Sequence, residues 1–214
     1  MTENKDKRVP KGNIKYKLSL TEEQKEAKRQ ILENKVTVLY GKPGTSKTFI
    51  AVATAIDMLF KREINSITIT RPAVAIENLG FLPGEIDDKI APYLYPIKDN
   101  LYNLYHKDKI DDLIRSGQIK ILPIAYIQGI TISDVLIIDE AENATEYQLR
   151  MILTRLGKGG KMIFTGDIKQ SALKAGQSGF DKLLSLNGKI GGFKTIELTT
   201  NFRDDFVQEV LKLY

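Results

Sequence analysis

The stretch Gly41-Lys42-Pro43-Gly44-Thr45-Ser46-Lys47-Thr48 decides the fold. A short β-branched and aromatic run, Val36 to Tyr40, leads into it, and residues 47–61 continue from it without glycine or proline. A strand that turns on Gly and Pro and enters a helix is where a phosphate-binding loop must sit. Small residues let successive backbone N–H groups turn inward onto an anion, and the helix adds its partial positive N-terminus. Lys47 then reaches the β- and γ-phosphates of a nucleotide, and the Thr48 hydroxyl ligates Mg²⁺. Gly41, Lys42, Pro43, Gly44, Thr45, Ser46, Lys47 and Thr48 are the expected nucleotide-binding residues. Ser46 stands where glycine is usual; it puts a side chain beside the phosphates and reduces backbone freedom.

Such a loop needs a carboxylate at the end of a neighbouring strand. Val135-Leu136-Ile137-Ile138-Asp139-Glu140 supplies four apolar residues and then two acids. Asp139 is expected to hold the metal through water, and Glu140 to act as general base on the attacking water. Further short apolar runs at 67–70, 119–122, 162–164 and 195–198 alternate with helical patterns at 21–32, 85–114 (broken near Pro92 to Pro96) and 203–213. Thr145 begins another, with Leu149, Ile152, Leu153 and Leu156 on one face. Apolar strands separated by helices predict a mostly parallel sheet covered on both faces, in a single α/β domain.

Composition narrows the chemistry. The chain of 214 residues has no cysteine and one histidine, His106, which excludes disulfides, iron–sulfur clusters and histidine-based metal clusters. Net charge is +5, of which residues 1–17 carry +4, so the body is almost neutral. The first segment is predicted to be a basic, flexible tail (1–17) ahead of the folded domain (18–214). No apolar stretch approaches the ~20 residues of a membrane span. The expectation is a cytoplasmic protein with no membrane partner.

Additional segments are distinctive in combination. Asp139-Glu140-Ala141-Glu142-Asn143 is followed by Thr165-Gly166-Asp167-Ile168-Lys169-Gln170, and preceded by Thr70-Arg71-Pro72-Ala73-Val74 and Leu79-Gly80-Phe81-Leu82-Pro83-Gly84. Together these closely resemble the PhoH-like family of P-loop ATPases, relatives of superfamily 1 helicases, from about residue 20 onward. The resemblance implies a RecA-like core that uses ATP and Mg²⁺. It makes Gln24 an adenine-reading residue, although Gln24 also suits the capping-box partner of Thr21. It makes Gln170 a γ-phosphate sensor that orients water, and Arg203 of Asn201-Phe202-Arg203 a γ-phosphate contact. Thr70, Arg71 and the loop 126–131, ending at Thr131, would line a strand path. That loop carries Gln128 and Ile130 where the family usually has arginines. Helicases of this kind close a second lobe over the nucleotide, and few residues follow Arg203. The expectation is a homo-oligomer, a hexameric ring by resemblance, with the arginine acting between neighbours.

Two functions are in contention. One is an ATP hydrolase coupled to single-stranded RNA or DNA. The other is an ATP-driven switch or assembly factor without nucleic acid, favoured by the near-neutral body and the missing loop arginines. A small-molecule kinase fits less well, because it has no need of Asp139-Glu140 together with Gly166-Asp167 and Gln170. Tyr93, Tyr95, Tyr102 and Tyr105 are read as packing residues more than stacking platforms, and His106 as a surface residue.

Overall fold

A computed structural model describes residues 19–72, 95, 97–204 and 209. The basic tail, Tyr93, the segments Ala73-Val74 and Leu79 to Gly84, and most of the helix expected at 203–213 lie outside the described residues. The elements run α1 (Glu22–Glu33), β1 (Val36–Tyr40), α2 (Lys47–Phe60) and β2 (Ile67–Thr70). A helical run at 97–104 follows, then α3 (Lys107–Arg115), β3 (Ile119–Ile121), β4 (Val135–Ile138) and α4 (Glu146–Leu153). The last are β5 (Lys161–Gly166), α5 (Phe180–Leu184) and β6 (Phe193–Glu197).

The six strands form one sheet in the order β3-β2-β4-β5-β1-β6, with every pairing parallel. Within each strand, successive side chains enter different layers. Leu39, Ile67, Ile69, Val135, Ile137 and Ile163 pack with α1, α2, α3 and the 97–104 helix. Val36, Val38, Leu136, Ile138, Met162 and Phe164 pack with α4 and α5. A sheet buried on both faces has no solvated side, which is why its strands read as continuous apolar runs. The RecA-like α/β architecture expected from the sequence is therefore the one observed.

Local chemistry sets the helix ends. Thr21 and Gln24 form a reciprocal capping box on α1, and Thr145 and Gln148 form another on α4. At the other end of α1, the Lys161 ammonium donates to the carbonyls of Ile31, Leu32 and Asn34, tying the helix to β5. Burial there lowers the Lys161 pKa. Tyr105 packs edge-on against Phe60 at 5.4 Å, and the Tyr102 hydroxyl donates to Asp111 at 2.7 Å. Both tyrosines are thus structural, whereas Tyr95 is 61% exposed. His106 is exposed and precedes α3.

Three local features differ from the sequence reading. The first part of the expected loop 126–131 belongs to a 3-10 helix, Ile124–Gly129. The helix α4 ends at Leu153, so Leu156 packs from the following turn. The five-residue α5 is too short to show a helical period.

No helix among the described residues is long and apolar enough to cross a membrane. At the amino edge of the sheet, Gly160 passes so close to Ile132 that a β-carbon on it would lie 2.1 Å from the Ile132 carbonyl oxygen. Gly160→Ala is therefore expected to cost about 1–3 kcal/mol through overpacking. In urea the midpoint should fall while the slope stays unchanged.

Candidate functional site

The carboxyl ends of β1, β2, β4, β5 and β6 lie along one edge of the sheet, the edge where open α/β sheets bind ligands. The loop after β1 crosses it. Gly41 has φ 147°, and a β-carbon there would meet the Leu198 carbonyl oxygen at 2.1 Å. Only glycine lets the end of β6 lie against the loop. Gly44 is also left-handed, φ 84°.

The Lys47 ammonium turns into the loop and donates to the carbonyls of Gly41 at 2.7 Å and Lys42 at 2.9 Å. Burial lowers its pKa, while Asp167, Glu142 and Asp139 oppose that shift. Asp139 is 4% exposed and is satisfied by two hydroxyls on the same oxygen, Thr48 at 2.6 Å and Thr165 at 2.5 Å. The Thr48 hydroxyl and Asp139 carboxylate are hard oxygen donors side by side at the mouth of the loop. That set suits Mg²⁺, which takes few protein ligands and keeps waters and phosphate oxygens for the rest. Among the described residues no cluster of three or more His, Cys, Asp or Glu forms a metal cage.

Ser46 adopts φ 64° ahead of α2 without capping the helix. Its hydroxyl donates to the Thr45 carbonyl at 2.6 Å and accepts from the Gln24 amide at 2.8 Å. Gln24 also accepts from the Thr21 N–H at 3.1 Å. The capping reading of Gln24 is thus realised, and the side chain is joined to the loop as well.

The segment after β6 lies over this same loop. The Phe202 N–H donates to the Gly44 carbonyl at 3.0 Å, and a β-carbon on Gly44 would meet Asn201 and Arg203 side-chain atoms within 2.9 Å. The segment is held from α1: the Glu23 carboxylate accepts from the N–H groups of Thr199 at 2.8 Å and Thr200 at 3.1 Å, and from the Thr199 hydroxyl at 2.8 Å. Desolvation would raise the Glu23 pKa, but these hydrogen bonds outweigh it and hold the pKa low. Arg203 thus stands against the loop of its own chain.

Other expected residues sit elsewhere. Thr70 is fully buried, hydroxyl included, and so is not available to a strand on the surface. Thr131 is exposed but lies at the amino edge, beside Gly157 and the starts of β2 and β4, at the opposite end of the strands from Arg71. The structure does not bring Thr131 and Arg71 onto one path. Gln170 is exposed, and its N–H closes a turn on the Asp167 carbonyl at 3.1 Å. The Glu140 carboxylate is paired with Arg71, whose Nε donates to it at 2.8 Å.

Sequence reasoning missed Glu142, Glu23 and Asp167. Glu142 is 3% exposed and accepts from the Asp167 N–H at 3.1 Å. The signal was the third acid in Asp139-Glu140-Ala141-Glu142. Burial raises its pKa, with backbone hydrogen bonds and Lys47 pulling back and Asp139 adding to the rise. The folded chain therefore holds this proton more tightly than the unfolded chain does. The resulting stability is full below the ordinary value of 4.5 and is lost as pH rises through the folded value. Glu142→Gln should flatten the pH–stability curve above pH 4.5 and be the more stable protein near neutrality, as read by urea titration at several pH values.

The chain is similar to known proteins in sequence and in fold. The family model described as "PhoH-like protein" matches residues 17–214. A PhoH-like protein of Synechocystis sp. is 46% identical over 147 residues, 68% of this chain and 45% of that protein. One from Bacillus subtilis is 42% identical over 179 residues, 81% of this chain and 56% of that protein. The chain spans about half the length of the curated relatives it matches. Among solved structures, the UvsW helicase from bacteriophage T4 superposes with a TM-score of 0.52 at 13% identity, covering 87% of this chain and 62% of that one, which shows a shared fold. By family match and relatives alike, the chain belongs to the PhoH-like protein family.

Proposed function

We propose that the chain binds ATP with Mg²⁺ and hydrolyses it to ADP and phosphate, coupled to binding of single-stranded RNA or DNA. The observation that carries the reading is the meeting of Thr48 with Asp139 beside Lys47, under Arg203 of the same chain. Thr48 and Asp139 would hold Mg²⁺, which when bound would supply neutralisation of phosphate charge. Lys47 exchanges its two carbonyl partners for phosphate oxygens. Glu140 takes a proton from the attacking water. Arg203 offers a rigid fork to the charge developing on the transferred phosphoryl group, and Gln170 orients the water. Gln24 keeps one N–H and one lone pair for adenine while bonded to Ser46 and Thr21.

Arg71 is the residue of the expected strand path that lies at the nucleotide edge. A homo-oligomeric ring would supply a longer path, but on this reading it is not needed to complete the nucleotide site. A second reading, an ATP-driven switch without nucleic acid, is favoured by the placement of Thr131 at the far edge.

Steady-state ATP hydrolysis with and without single-stranded RNA and DNA, at two salt concentrations, separates the two. Stimulation that fades with salt is expected for the first reading; indifference to both nucleic acids favours the second. Lys47→Ala and removal of Mg²⁺ by EDTA should each abolish turnover, and Glu140→Gln should retain bound ATP. Arg203→Ala should bind ATP yet lose about 10³-fold or more in turnover. Mixing Arg203→Ala with Lys47→Ala should restore nothing, because each site draws both residues from one chain.

A further inference from the structure

We infer that Arg71 is a positioning residue that restrains Glu140, and that a backbone phosphate of a bound single strand releases it. The inference rests on the proposed function and names how the strand would act on the site. The strands β2 and β4 are neighbours with Thr70 opposite Ile138, so Arg71 and Asp139-Glu140 emerge side by side. The Asp139 N–H donates to the Thr70 carbonyl at 2.9 Å, fixing the two chain ends together. Glu140 then takes a left-handed turn, φ 51°, uncommon for a residue with a β-carbon. From there Arg71 engages both carboxylate oxygens: Nε donates to Oε2 at 2.8 Å, and Nη2 pairs with Oε1.

A carboxylate held on both oxygens by a guanidinium fork is poorly disposed to orient water or take its proton. The same fork matches a phosphate oxygen pair equally well, so a phosphodiester competes for it directly. The nucleotide's own phosphates are the less suitable competitor. Arg71 follows β2, which stands three strand positions from β1 and its loop, about 14 Å at the usual strand spacing. Arg71 and Glu140 side chains are 23% and 41% exposed, so the pair is accessible from solvent and easily exchanged. A surface pair is worth about a fivefold shift in occupancy, which sets the scale of the restraint for this half-buried one.

The test compares kcat and KM for ATP in wild type, Arg71→Ala and Arg71→Lys, with and without a 20-nucleotide (roughly two-helical-turn-length) single-stranded RNA or DNA at low salt. Urea unfolding confirms that each variant is folded. Arg71→Ala should raise unstimulated kcat roughly two- to fivefold, leave KM unchanged and lose the response to the strand; Arg71→Lys should fall between. An arginine that only binds the strand would lose stimulation without raising unstimulated kcat. An unstimulated kcat equal to or below that of wild type therefore overturns the inference. If instead no strand stimulates wild type, the strand-coupled reading of function fails, and with it the release step.

Discussion

Everything at the carboxyl edge of the sheet hangs on the Asp139 carboxylate. An ionised carboxyl excluded from water is costly unless its oxygens are matched by donors, and here one oxygen receives hydroxyls from two different elements. Thr48 belongs to the first turn of α2 and Thr165 to β5, so a single acceptor fixes the phosphate loop's helix against two strand ends. The parallel sheet makes this meeting possible, because β1, β5 and β4 are consecutive and end at the same edge.

A second layer of order comes from α1. Its N-terminal half supplies Gln24 to Ser46 in the loop and Glu23 to the backbone of Thr199 and Thr200. The left-handed backbone of Ser46 is unfavourable for a residue with a β-carbon, and its hydroxyl makes two bonds in return: it donates to the loop and accepts from α1. The substitution that looked like a handicap in the sequence is a joint in the structure.

Legibility followed the range of the signal. The phosphate loop, Asp139, the strands and the capping box at Thr21 are local patterns, and each lies where the pattern places it. Glu142 and Asp167 were harder, because their burial against Lys47 depends on how β4 and β5 end side by side. Thr131 shows the same dependence: family loops suggest which residues act together, but only the strand directions show that it sits at the amino edge. Thr70 illustrates the limit of reading threonine as polar; in β2, Thr68 and Thr70 behave as small core residues. The packing of Arg203 on Gly44 follows from two hydrogen bonds across the chain, Phe202 to Gly44 and Thr199 to Glu23, for which no local pattern exists.

The Glu23 clamp has a mechanical consequence. It joins positions 176 apart in sequence, so α1 and the strip carrying Arg203 move as one latch. The Lys161 ammonium ties the far end of the same helix to β5, so the latch is anchored on the sheet. A displacement of the start of α1 would thus be carried across the fold to the strip that lies over the phosphate loop.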